Sequence, residues 1–339
     1  MPPPASAASG PRGMPKRGLS AVTQDSDFDS AHAGVGIISG ITAGGRLPAD
    51  AEEKLGVTHD PIAPKPKPSG FGHIFMCADS RDRTVKLVVK AQKAEMGVHE
   101  ANILQHLKDA DGGPSRHIIA FIKHALRESL TLGRRSFLVT ERAVGREWRA
   151  SIDPKAQPPG KAQPEEDAKP LFRQAIDGLR FMHRLGVAHL DIKLENIMIK
   201  DDGSDHGCLC YIDFGLASTS GGLLREQRGT PGYQAPEIHR GEQYNGYLAD
   251  VWSLGICFFS IVAGVPPFEI DPTDRCFEIL TNCCFLALQT SGVRGWFELF
   301  AQPCTWSAPL VQLIDGMLAV SLPPAEPSAP AARRRAAAA

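Results

Sequence analysis

The sequence predicts an α+β fold, with a small β-rich first part and a larger, mostly helical second part. Three observations carry this expectation: a strand–turn–strand pattern over residues 71–90, one helix-spaced segment directly after it, and helical apolar spacing from about residue 175 onward.

In chain order, residues 1–67 are rich in Pro, Gly, Ala and Ser and show no sustained periodicity, so they are expected to be an unfolded tail. Lys65-Pro66-Lys67-Pro68 reads as a stiff lead-in. Residues 74–77 and 85–90 form the two strands, joined by a turn at 79–83. Residues 95–108 place Ile103, Leu104 and Leu107 on one helical face. The apolar runs 118–122 and 136–140 are expected to be further strands of the same sheet. A Pro/Lys/Glu-rich connector covers 153–170. Ile176, Leu179, Met182 and Leu185 then repeat at helical spacing over 175–188. Residues 310–318 read as a late helix, and 321–339 as a second unfolded tail.

A length of 339 residues accommodates one catalytic domain of about 250 residues plus tails. The formal net charge of -1 supplies no global field for nucleic acid or an acidic membrane. The eight cysteines sit among apolar neighbours, and Cys208-x-Cys210 and Cys283-Cys284 lack the partners of a zinc site. Reduced, buried thiols in a cytoplasmic or nuclear protein are therefore expected. Arg12, Lys16 and Arg17 ahead of the first acidic residue, Asp25, leave an organelle transit peptide as the alternative.

The chemistry is concentrated in two short motifs. Residues 189–196 read His-Leu-Asp-Ile-Lys-Leu-Glu-Asn, and Asp213-Phe214-Gly215 follows. Phosphoryl transfer needs a carboxylate to orient the attacking hydroxyl and accept its proton, which suits Asp191. It needs a cation near the γ-phosphate, which suits Lys193, and hard oxygen ligands for Mg²⁺, which suit Asn196 and Asp213.

These motifs resemble those of the eukaryotic protein kinase family over about residues 69–320. The resemblance implies a bilobal protein-kinase-like fold: a β-rich N-lobe with one main helix (about 68–140), a hinge (141–147) and a mostly helical C-lobe (148–320). It implies ATP and Mg²⁺ as cofactors, a protein substrate, and a monomer that contacts neither nucleic acid nor membrane. Gly70 and Gly72 fall where the family carries its phosphate-covering loop; Gly34-Val35-Gly36 is a competing cluster far from any strand lysine. By the same resemblance Lys90 grips the α- and β-phosphates and pairs with Glu100, with Lys86 as the second choice. The gap of ten residues between them is short for the family. Thr140 takes the gatekeeper position. Backbone groups of Glu141 and Ala143 meet the adenine rim, and Glu147 meets the ribose. Val88 and Met198 sandwich the ring, and Cys77 is counted among the nucleotide-binding residues.

In the second half, Gly229-Thr230-Pro231-Gly232-Tyr233-Gln234-Ala235-Pro236-Glu237 resembles the platform for a peptide acceptor, with Thr230 bridging Asp191 and Lys193. Lys193 in that place is the serine/threonine-type arrangement. Asp250 is expected to anchor the catalytic-loop backbone, and His189, Phe214 and Leu104 to stack as an apolar spine. There are departures. Phe75 replaces the third glycine of the loop, Leu190 replaces the Arg before the catalytic Asp, and no Asp-Pro-x-x-Arg turn follows residue 318, so Glu237 is expected to lack its Arg partner. The resulting expectation is an ATP-dependent serine/threonine protein kinase. A pseudokinase scaffold is the alternative, and the platform disfavours a small-molecule phosphotransferase.

Overall fold

Ala51 and Leu55, four residues apart, form the buried stripe of a short helix, α1 (Ala49–Leu55), and Leu47 just before it is buried as well. The computed structural model describes residues 46–61, 67–69, 72–129, 133–152, 162–220, 222–267 and 275–319. Residues 46–60, expected to be unfolded, are instead built into the fold, and residues 1–45 of the expected tail, together with 321–339, lie outside the described residues. Gly56, at φ 57°, closes α1 in the left-handed conformation that glycine tolerates, and the chain enters β1 (Val57–His59).

Both β1 and β2 (Lys67–Ser69) pair antiparallel with β3 (Gly72–Asp79), which pairs in turn with β4 (Lys86–Lys93). Helix α2 (Ala94–Lys108) starts at the residue after β4. Strands β5 (Phe121–Ser129) and β6 (Gly133–Glu141) complete the sheet, in the order β1-β3-β4-β6-β5. The run 118–122 is thus only partly strand. Residues 117–119 instead bond the backbone of Tyr211, with Ile119 N–H donating to its carbonyl at 3.0 Å. Side-chain alternation gives the sheet two working faces. On the outer one, Phe75, Cys77, Leu87, Val89, Phe137 and Val139 pack under α1. On the inner one, Ala101, Ile103, Leu104 and Leu107 of α2 pack with Phe121 and Leu138. Gly97 allows that close seating, because a Cβ there would overlap the Ser136 side chain.

The second lobe opens with β7 (Gly145–Glu147), which joins β8 (Ile197–Lys200) and β9 (Cys208–Tyr211) in a small sheet. Helix α3 (Glu165–Arg184) begins inside the expected connector. Glu165, Glu166 and Asp167 favour a helix N-terminus electrostatically, and Pro170 lies inside the helix. Further along lie β10 (Leu223–Leu224), α4 (Pro236–His239), β11 (Tyr244–Asn245), α5 (Gly246–Ala263), α6 (Arg275–Leu299, interrupted at Gly292) and α7 (Ala308–Met317). Helix α5 has the length and composition to cross a bilayer but is mostly buried in this lobe. Phe258 of α5 stacks on Phe172 of α3 at 3.8 Å between ring centres, with Trp148 edge-on to both. Burial pushes the thiols of Cys77 and Cys210 up to about 12, so both stay protonated and unreactive.

Glu237 at the start of α4 is buried, and its Oε2 has no hydrogen-bond partner among the described residues. Burial raises its pKa. A raised folded pKa means stability is lost as pH climbs from the unfolded carboxyl value, about 4.3, through the folded one. Glu237→Gln removes that burden. Its Tm at pH 7 is expected to rise by roughly 2–4 °C, equivalent to about 1 kcal/mol. At pH 4 the gain should vanish. A fall in Tm at pH 7 would show that a cation outside the described residues holds this carboxylate.

Candidate active site

Strand parity turns Lys90 away from the outer core and toward the second lobe, although it is only 6% exposed. A buried ammonium survives only with partners, and these include Glu100 of α2, at 3.2 and 3.0 Å, and Asp213, at 2.8 Å. Because α2 starts without a linker after β4, a gap of ten residues is enough to bring Glu100 to the strand. Glu100 also accepts from Gln92 Nε2 (2.8 Å) and from the Phe214 N–H (3.3 Å), so one buried carboxylate ties strand, helix and Asp-Phe-Gly segment together. Burial alone would lower the Lys90 pKa, but the two carboxylates outweigh it and the net shift is upward. For Asp213 burial acts upward, Lys90 acts downward, and the downward effect wins. Both groups are held charged.

The catalytic loop is held from below. Asp250 of α5 accepts the His189 and Leu190 N–H groups, each at 2.8 Å, and His183 Nε2 reaches it at 2.9 Å. This grip sustains Leu190 at φ 63°, a conformation that costs a β-carbon residue about 1–3 kcal/mol. Gly229 is required opposite, since a Cβ there would stand 2.8 Å from the Leu190 carbonyl oxygen. The result presents Asp191 at the cleft. Its Oδ1 accepts from Thr230 Oγ1 (2.6 Å); its Oδ2 accepts from Asn196 Nδ2 (2.9 Å) and faces Lys193 Nζ (3.0 Å). Lys193 also donates to Thr230 Oγ1 at 2.7 Å, closing a triangle of acid, hydroxyl and cation. Asn196 spends its amide N–H on Asp191, which leaves Oδ1 to face a cation. Its backbone carbonyl accepts the Ile212 N–H, one residue before Asp213. The His189 ring packs 4.8 Å from Phe214.

Comparison with known proteins decides the family, because the sequence profile of the protein kinase domain matches residues 70–329, most of the chain. The chain belongs to the protein kinase family. CBL-interacting protein kinase 8 of Oryza sativa subsp. japonica is 34% identical over 198 residues, covering 54% of this chain and 42% of that protein. CBL-interacting protein kinase 4 of the same organism is 38% identical over 153 residues, 43% of this chain and 32% of that protein. Serine/threonine-protein kinase STK11 of Rattus norvegicus is 29% identical over 259 residues, 73% and 53% of the two chains. The chain thus spans about a third to a half of the length of these relatives. All three are protein kinases or serine/threonine kinases by name, STK11 being the serine/threonine kinase, and the β-rich lobe with one main helix beside a helical lobe is the bilobal fold of the protein kinase family.

Within this kinase domain the structure gathers Lys90, Glu100 and Asp213 at one point, and Asp191, Lys193, Asn196 and Thr230 at another. Val88 lies on the inward side of β4 two residues before Lys90, opposite Thr140 of β6. Met198 on β8 pairs with Glu147 on β7, which is exposed. Ala143 packs against the core of the helical lobe. Gly70 lies outside the described residues. Gly72 opens β3, where a Cβ would overlap the Ala91 carbonyl. Cys77 requires a correction: it stands opposite Leu87 and buries its thiol in the outer core, away from Val88 and Lys90. The inward position opposite Val88 belongs to Met76. Glu141 is also more than a backbone contact. Its N–H is committed to the Ala120 carbonyl (2.9 Å), and its carboxylate takes Lys200 Nζ (3.0 Å) and the Ala120 N–H (3.1 Å). Gln92 and Lys200 were not anticipated, because neither carries a local sequence signal. Lys200 acts through Glu141, far away in the chain, and Gln92 through Glu100 across the strand–helix junction.

Proposed function

We propose that this domain is an active serine/threonine protein kinase that transfers the γ-phosphoryl group of ATP, with Mg²⁺, to hydroxyls of protein substrates. The observation that carries the reading is the closed triangle of Asp191, Thr230 and Lys193, formed alongside the Lys90–Glu100–Asp213 chain. The donor set fits the cofactor: Asn196 Oδ1 and the ionised Asp213 carboxylate are hard oxygen ligands suited to Mg²⁺. Among the described residues no cluster of three His, Cys, Asp or Glu side chains gathers, so phosphate oxygens and water would complete the coordination. When bound, Mg-ATP supplies the electrophilic phosphorus and the divalent charge. Asp191 orients the acceptor hydroxyl and takes its proton, Lys193 offsets charge beside it, and Lys90 holds the phosphate tail. The name of the STK11 relative and the Lys193 position support the serine/threonine assignment.

The test is transfer of labelled phosphate from Mg-ATP to a generic protein substrate by the wild type, Asp191→Asn and Lys90→Met. Transfer by the wild type that both variants lose supports the reading. A folded wild type that binds Mg-ATP but transfers nothing would favour a pseudokinase.

Activity should also be independent of phosphorylation in the segment after Asp213. Leu190 stands where an Arg would read a phosphate, and the segment is already tied to itself. Arg228 forms an ion pair with Glu226 and donates to the Leu216 carbonyl (3.1 Å), while Ser218 and Ala188 exchange backbone bonds. Phosphatase-treated protein is expected to keep its rate within about a factor of two. A loss of ten-fold or more, mapped to Thr219, would contradict this.

A further inference from the structure

Residues 46–60 precede the segment that the kinase-domain profile matches, yet they are built into the domain. Leu47, Ala51 and Leu55 cap the outer core, and β1 extends the sheet edge. The chain then delivers Asp60, 4% exposed, to a point where two cations meet on one oxygen. Asp60 Oδ2 lies 3.3 Å from Lys86 Nζ at the start of β4 and 3.1 Å from Arg142 Nη1 just past the end of β6. Arg142 N–H also donates to the Lys86 carbonyl at 3.0 Å. The neighbouring residue, Glu141, is gripped from the other lobe by Lys200. The stretch 141–143 therefore has a charged fixing point on each side, one of them supplied by the N-terminal extension.

We infer that Asp60 is a positioning residue for the nucleotide site, setting where the 141–143 backbone stands relative to the cleft. This rests on the proposed ATP site. Charge-assisted bonds to a buried carboxylate are short and directional, so they fix a backbone more tightly than packing alone. The side chains of Lys86 and Arg142 are 36% and 29% exposed, so both cations can return to water if the acceptor is lost. Removing it should displace the segment without collapsing the fold. Small misplacements of binding groups weaken ligands steeply.

The experiment compares wild type, Asp60→Asn, Arg142→Gln, the double variant and Asp60→Glu. It measures affinity for a fluorescent ATP analogue, KM for ATP and for protein substrate, kcat and Tm. Asp60→Asn and Arg142→Gln are each expected to weaken nucleotide binding and raise KM for ATP about three- to ten-fold. KM for protein substrate and kcat at saturating ATP should stay within about two-fold. The double variant should be no worse than Asp60→Asn alone, since that change already removes the acceptor of Arg142. Asp60→Glu should recover part of the loss. A lowered Tm with unchanged nucleotide affinity, or additive losses in the double variant, would overturn the inference and leave Asp60 a purely structural residue. A wild type with no nucleotide affinity would overturn the functional reading, and this inference with it, by a different readout.

Discussion

Asp191→Asn is expected to lower kcat by about two to four orders of magnitude while nucleotide affinity stays within about two-fold of wild type. The reason is specific to the hydrogen bonds around it. Three donors converge on the Asp191 carboxylate: Thr230 Oγ1, Asn196 Nδ2 and Lys193 Nζ. An amide offers one acceptor oxygen instead of two, and its NH₂ must face one of those donors. The single amide oxygen is too weak a base to take a proton from an acceptor hydroxyl. Lys193 and Thr230 would keep their mutual bond, and the nucleotide contacts around Lys90 would be untouched. Single-turnover transfer with saturating Mg-ATP, together with calorimetric nucleotide binding, reads both quantities. A variant that retains more than about a tenth of the wild-type rate would remove Asp191 from the chemistry.

Lys90→Met should have an effect of similar size on activity by another route, and it should also destabilise the domain. It deletes the cation between two carboxylates, Glu100 and Asp213, and breaking a buried pair in this way costs about 3–5 kcal/mol. That is a large share of a typical domain stability of about 5–15 kcal/mol. The sign of the pH dependence follows from the shifts. Asp213 has a depressed folded pKa, so its contribution is present above the unfolded carboxyl value, about 3.9, and fades as pH falls through the folded value. Lys90 has a raised folded pKa, so its contribution is present below about 10.4 and fades as pH rises through the folded value. The wild-type pair is therefore at full strength between roughly pH 4 and pH 10. In Lys90→Met the largest influence opposing the burial of Asp213 is gone, leaving the Gly215 N–H and His189, so its carboxyl pKa should climb and the Mg²⁺ dependence of nucleotide binding should become pH-sensitive. Unfolding curves and nucleotide titrations at several pH values check this. Unchanged stability would mean that the ion pair contributes nothing net.

The parts of this site legible in the sequence were those fixed by short-range spacing. Asp191, Lys193 and Asn196 lie within six residues, and any chain that bends there presents them together. Asp250 was legible because an apolar run follows it directly. Errors arose where three-dimensional parity or composition decided. Cys77 was counted among the nucleotide-binding residues by resemblance, but the pleat turns every second residue away, and a shift of one position moves a side chain to the other face. The N-terminal helix was lost to its Pro/Ala/Gly-rich surroundings. Its own signals were present: Leu47, Ala51 and Leu55 at helical spacing, acids in the first turn, Lys54 in the last and Gly56 after it. The ion pairs of Asp60 and Glu141 join residues 82 and 59 positions apart, a distance over which local pattern says nothing.

The absence of any linker between β4 and α2 has a dynamic consequence. With Gly97 nested against Ser136 and the first turn continuous with the strand, α2 has no slack in which to swing as a rigid rod. Separating Glu100 from Lys90 would require unravelling that turn. A ligand or protein that silences the domain by this route would therefore leave its mark as accelerated amide hydrogen exchange in residues 94–99, with the remainder of the helix still protected.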